Sequence, residues 1–181
     1  MAKRKSEWYE WTKALFVAFA LAFIIRMFFF SPIIVDGPSM QPTLYDRDRM
    51  IVNKFTYYLR EPERFDIVVF KASKQKDYIK RVIGLPGEHV RIKDDVLYID
   101  GEPVEESFIS YRPDEHIQSD FSLETLPGNY ETIPEGYVLV LGDNRNNSTD
   151  SRRIGLISMD QIIGKANIIY WPLQRMQIVN E

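Results

Sequence analysis

Seventeen residues, Ala14 to Phe30, read ALFVAFALAFIIRMFFF, and Arg26 is the one charge among them. A helix rises about 1.5 Å per residue, so this run covers roughly 26 Å, close to the hydrocarbon thickness of a bilayer. Apolar side chains point nearly all round such a helix, and a chain of 181 residues could scarcely enclose it. Arg26 lies near the far end, where a long side chain reaches the headgroups. Trp8, Tyr9 and Trp11 sit at the near end, as interfacial aromatics do. These features predict a transmembrane anchor at 14–30 behind a short segment, 1–13. A cleaved leader is the alternative, but FFFSPIIV follows the run where a small-x-small site would be needed. Lys3, Arg4, Lys5 and Lys13 precede the run, and neither Lys nor Arg occurs from Ser31 to Asp46. That bias predicts a single-pass protein of the cell membrane, N-terminus in the cytoplasm and 31–181 outside.

Charge divides the chain in the same way. Residues 1–30 hold five basic and two acidic residues, +3, while the whole chain carries −3, so residues 31–181 carry −6. An acidic body argues against nucleic-acid binding. The absence of cysteine excludes thiolate catalysis, thiolate metal sites and disulfides. An apolar share of 45% with 27% charged residues suits a folded chain.

Beyond the anchor, short β-branched and aromatic runs alternate with turn residues. They are 49–55, 65–71, 78–84, 88–93, 96–100, 137–143 and 165–171. Asp94-Asp95 predicts a hairpin turn, and Asp100-Gly101 a second tight turn. Residues 158–163 suit a helical turn or two with Ser158 as N-cap. Residues 105–134 are polar with three prolines and read as an inserted surface loop rather than core. Ser31–Val35 and Met40 read as exposed and apolar, touching lipid. The expected fold is mainly β and antiparallel, with one N-terminal transmembrane helix.

Ser39, in DGPSMQPTL, follows Gly37-Pro38, a pair with little side chain that lets a peptide backbone come close. Its backbone N–H can face a developing oxyanion. Most serines in such loops are turn residues; a nucleophile needs a base. His116, in the polar insertion, and His89, in a hairpin strand, read as surface residues. Lys80 lies among Tyr78, Ile79, Val82 and Ile83, and desolvation there lowers an amine's pKa until it can accept a hydroxyl proton. Arg81 beside it reads as a solvent-face charge. A Ser–Lys pair is a known nucleophile–base arrangement. A third stretch, GDNRNNSTDSR at 142–152, follows a hydrophobic strand and reads as a rigid polar loop or an Asx-rich turn. It fails the calcium-loop pattern, with Arg145 at its third position and no glycine at its sixth. Asn146 and Asn147 each open a glycosylation sequon, which matters only in a eukaryotic secretory route.

At these three stretches the chain resembles type I signal peptidases, in the compact Gram-positive form with one N-terminal anchor. VDGPSMQPTL (35–44), DYIKRVIGLPGE (77–88) and GDNRNNSTDSR (142–152) carry the resemblance, in that order, with strands between. It implies an antiparallel β fold and a membrane-bound serine endopeptidase that removes signal peptides after small residues. It implies Ser39 as nucleophile, Lys80 as general base, Ser148 as the serine orienting the amine, Asp150 with Arg152 as a supporting pair, and Asp143 opening the same loop. Gly37 stands where some members carry a serine that donates to the oxyanion, so that side-chain donor is missing. By family position, Val35, Met40, Leu44, Tyr78 and Ile79 would line shallow pockets, though core packing is their alternative reading. The implied partners are secretory preproteins and the lipid bilayer, with no metal or cofactor; we expect a monomer.

Two other readings compete. A self-cleaving Ser–Lys protease of the repressor type does not suit the anchor. A silent, tethered β domain that binds exported chains or cell-wall partners does not need Ser39 and Lys80 to meet. A sortase-like transpeptidase fails for want of cysteine.

Overall fold

The computed structural model describes residues 3–109 and 119–179. A long helix, α1, spans Lys3–Phe28, and its Glu7–Arg26 segment is long and apolar enough to cross a membrane. Between residues 8 and 25 its large side chains, Phe16 and Phe19 among them, are exposed. The helix stops short of the expected end at 30 because the chain then turns into a strand, β1, at Phe30–Ile34. Phe29 closes the helix by donating to Ile25 O (2.9 Å), and its own carbonyl accepts from Lys54 N (2.9 Å). β1 carries Pro32 and ends the sheet, where a missing N–H costs no ladder bond.

Eleven further strands follow: β2 (Arg49–Asn53), β3 (Ile67–Lys71), β4 (Asp77–Gly84), β5 (Val90–Lys93), β6 (Val96–Ile99), β7 (Glu102–Val104), β8 (Phe121–Ser122), β9 (Tyr137–Leu141), β10 (Ile157–Ser158), β11 (Ile162–Trp171) and β12 (Gln177–Ile178). All pairings are antiparallel. The larger sheet runs β1-β2-β11-β3-β4-β9-β10, with β12 on β11; the smaller runs β7-β6-β5-β8. The mainly β, antiparallel fold is thus present. Residues 158–163 hold one 3₁₀ turn, Met159–Gln161, closed by Gln161 Oε1 accepting from Ser158 N (3.1 Å).

Strand alternation divides the core. In β9, Leu139 and Leu141 join one cluster with Ile83, Ile92 and Leu97, while Val138 and Val140 join another with Val68, Phe70 and Val82. The strand is buried on both faces, which explains its unbroken YVLVL run. Gly84 permits this crowding, since a Cβ there would lie 2.5 Å from Ile133 Cδ1.

The segment 105–134 is only partly the expected surface loop. Phe121, Leu123, Leu126 and Ile133 are buried in the first cluster, and Phe121 pairs with Ile92 of β5. Their apolar residues are spaced by polar ones because each anchors a different turn against the small sheet, so periodicity conceals them. His116 lies outside the described residues. His89 precedes β5, about one-third exposed, and meets Glu124 (3.1 Å). Val35 and Met40, read as exposed, are buried at 3% and 1%, Ser31 and Ile33 are half-buried, and Pro32 and Ile34 of that stretch are exposed.

Candidate active site

Ser39 lies in a coil of turns between β1 and β2. Val35 N donates to Asp48 O (2.8 Å) and Arg47 N to Val35 O (2.9 Å), closing the base of the loop. Gly37 takes φ +89°, a conformation open to glycine, and donates to Asp46 Oδ1 (3.0 Å). Met40 O accepts from Leu44 N (2.9 Å), and Ser39 O accepts from Asn144 N (3.1 Å), which ties the loop to residues 142–152.

Lys80 comes from the middle of β4. Its Nζ lies 2.8 Å from Ser39 Oγ and donates to Ile79 O (2.8 Å). Lys80 is 4% exposed. Burial pushes its amine down from lysine's ordinary range to about 8, against the opposing pull of the Asp150 and Asp143 carboxylates. Those carboxylates are held in turn by guanidinium groups. Arg152 donates to Asp150 through Nε (2.9 Å) and a terminal nitrogen (2.8 Å). Burial alone would raise the Asp150 carboxyl; Arg152, the Gly142 N–H and the neighbouring Ser148 hydroxyl together hold it below the usual range.

Arg81 departs from expectation. It is 1% exposed, pairs bidentately with Asp143 (2.9 and 2.7 Å), donates to Phe65 O (3.0 Å) and stacks 3.8 Å from the Phe108 ring. In a sheet with one wet face the residue after a buried lysine would meet water. Here the segment after β7 covers the second face, and Thr43 and Asp143 supply the polar partners.

Ser148 reaches the same cleft, and its Oγ is buried without a well-formed hydrogen bond. No Ser148–Lys80 hydrogen bond forms among the described residues. A cleft of about 530 Å³ is lined by Ser39, Lys80 and Ser148 together with Val35, Met40, Tyr78 and Ile79. Leu44, expected on this wall, stays behind it, fully buried against Val35 and Met40. Its side chain follows the coil inward because Leu44 N bonds back to Met40 O.

Three supporting residues escaped sequence reasoning. Thr43 donates to Asp143 Oδ2 (2.5 Å). Glu106 forms a buried ion pair with Arg145, which also donates to Gly142 O (3.1 Å). Both contacts are long-range and leave no local pattern. Gly142 alone had a signal, the GD pair after an apolar strand. A Cβ on Gly142 would overlap Ser148 Oγ and lie 2.5 Å from Ser39 O. Gly142→Ala is therefore expected to push the two loops apart and lower turnover more than about tenfold, since small misplacements of reacting groups are costly. A steady-state assay with a far-UV spectrum of the variant measures this. Turnover unchanged in the folded variant would contradict the close approach.

The arrangement holds a hydroxyl against a desolvated amine at the floor of an open cleft, the elements of a nucleophile and its base. The model of the family described as signal peptidase, peptidase S26, matches residues 8–171. Signal peptidase I of Bacillus caldolyticus is 43% identical over 166 residues, covering 88% of this chain and 90% of that protein. Signal peptidase IB of Staphylococcus aureus is 41% identical over 180 residues, covering 96% and 94%. The crystal structure of a signal peptidase I from Enterococcus faecalis superposes with a TM-score of 0.54 at 40% identity, covering 59% of this chain and 97% of that one. Matched along nearly its whole length, the chain belongs to the signal peptidase family, peptidase S26, hydrolases that remove signal peptides from preproteins.

Proposed function

We propose that the chain is a membrane-anchored Ser/Lys endopeptidase that cuts exported preproteins after small residues. The observation that carries this reading is the 2.8 Å contact between Ser39 Oγ and the buried Lys80 amine. Neutral Lys80 takes the hydroxyl proton as Ser39 Oγ bonds to the scissile carbonyl carbon. The oxyanion faces the Ser39 N–H, with no side chain at Gly37 to help. Lys80 returns the proton to the leaving amine as the C–N bond breaks. Water, deprotonated by the same lysine, then hydrolyses the ester and frees Ser39. Asp150 with Arg152, and Asp143 with Arg81, hold the loop that carries Ser148; the Ser148 hydroxyl orients the amine once substrate excludes water.

The substrate binds as an added strand. β1 ends the sheet, and β9 begins pairing with β4 only at Arg81, so Asp77–Lys80 offer an unpaired edge among the described residues. Val35, Met40, Tyr78 and Ile79 form the shallow walls that admit small side chains at the first and third positions before the bond. Residues 14–28 anchor the chain in the bilayer with the N-terminus in the cytoplasm. Residues 31–181 work outside as a monomer beside the membrane that holds the substrate's own apolar segment.

A lysine base gives a definite pH dependence. Its amine must be neutral, so kcat/KM rises tenfold per pH unit below about 8 and levels off above it. A profile flat from pH 6 to 10 would remove Lys80 from the role of base.

A further inference from the structure

The cleft does not end at the walls that admit small residues. Ile33, Val69 and Asp77 also line a second cavity of about 470 Å³. Val52, Val69 and Ile163 form its apolar floor, and Lys54, Lys71 and Asp160 stand on its rim. The cavity borders Ser31, at the start of β1 and three residues beyond the end of α1. It therefore lies on the membrane side of Ser39, the side from which a substrate's apolar segment arrives.

Strand geometry then selects one substrate residue. Successive side chains alternate in direction, so the first, third and fifth residues before the bond share a face. The first and fifth are four residues apart, about 13 Å. Ser31, in β1 on the wall of the second cavity, and Val35, the residue that follows β1 on the wall of the first, are also four residues apart. A substrate strand alongside β1 sets its fifth side chain over the second cavity.

We propose that this cavity is a subsite for the fifth residue before the scissile bond, and that it takes a large side chain with an apolar body, such as leucine, methionine or glutamine. The inference rests on the peptidase reading above and extends it: small side chains are required at positions one and three, a large one is favoured at five. Two features support size as the criterion. The volume far exceeds what an alanine fills, and burial of a larger apolar body over Val52, Val69 and Ile163 is favourable. Charge is a weak criterion, because Lys71 faces Asp77 across the β3–β4 ladder and the rim carries both signs.

The test compares two preproteins, identical except for alanine or leucine at position five, with detergent-solubilised full-length enzyme. The leucine substrate is expected to show about fivefold higher kcat/KM, expressed mainly in KM. Lys71→Trp at the exposed rim and Ile163→Trp on the floor each fill the cavity and should bring that ratio close to one. If both substrates are cut at the same site with equal efficiency, the subsite is refuted while the peptidase reading stands. If the ratio survives in both variants, the preference arises elsewhere and the subsite is likewise refuted. If neither substrate is cut, the peptidase reading itself fails.

Discussion

Replacing Lys80 by methionine is expected to lower turnover by at least about a thousandfold and to leave the fold intact, more stable at neutral pH than before. The two effects share a cause. The Lys80 amine is drawn down from 10.5 to about 8 because burial penalises its charged form. Between about pH 8 and 10.5 the unfolded chain keeps a proton that the folded chain has released. Stability therefore rises with pH across that window. Below it both states are protonated, and the folded state bears the full cost, roughly 3 kcal/mol. Methionine fills a similar volume without charge and removes the cost, less what the contacts to Ser39 and Ile79 O contributed. Denaturant midpoints at pH 7 and pH 10.5 measure it. The variant should gain on the parent at pH 7, and the gain should shrink at the higher pH. A variant that is inactive because it is unfolded would carry no information about the base; a folded variant with retained turnover would remove Lys80 from the chemistry.

The second large effect concerns structure. Asp143→Ala removes the bidentate partner of a guanidinium that is 1% exposed. An unpaired buried charge costs about 3–5 kcal/mol, far more than the net value of the pair. Phe65 O and the Phe108 ring remain beside Arg81 but do not neutralise it. Thr43 loses its acceptor as well, which removes one of the ties between the loop after Ser39 and the 142–152 loop and leaves the Asn144 N–H donating to Ser39 O. Chemical denaturation should show a loss in that range, with activity falling alongside. The double variant Arg81→Met, Asp143→Leu should recover much of the stability, because an apolar pair of similar volume leaves no charge behind. A single Asp143→Ala variant as stable as the parent would mean that Arg81 is already hydrated.

How much of this was legible in the residues follows from how far each signal reaches. The strands at 49–53, 67–71, 77–84, 90–93, 96–99 and 137–141 announce themselves through local apolar runs and turn residues. Lys80 stood out because apolar residues, Tyr78, Ile79, Val82 and Ile83, flank it and Arg81 on both sides. β1 did not, because Phe30–Ile34 joins the last anchor residue to a short apolar pair across Ser31-Pro32, too little for a strand pattern of its own. Arg81 was misjudged because strand alternation describes one sheet, and this sheet is covered on its second face by Phe108 and Thr43 from remote segments. The same distance in sequence hid Glu106 behind a polar stretch that otherwise looks like a loop. Leu44 was assigned to the cleft by position alone, whereas the turn at Met40–Leu44 rotates it into the core.

The central claim is that Ser39 is the nucleophile that cuts an exported preprotein after a small residue. One measurement addresses it directly: incubation of the solubilised full chain with a preprotein carrying a small-x-small site, and determination of the mature product's N-terminal residue. The account predicts a single cut after the second small residue, absent in a folded Ser39→Ala variant. A cut elsewhere, or the same cut by the Ser39→Ala variant, would contradict it.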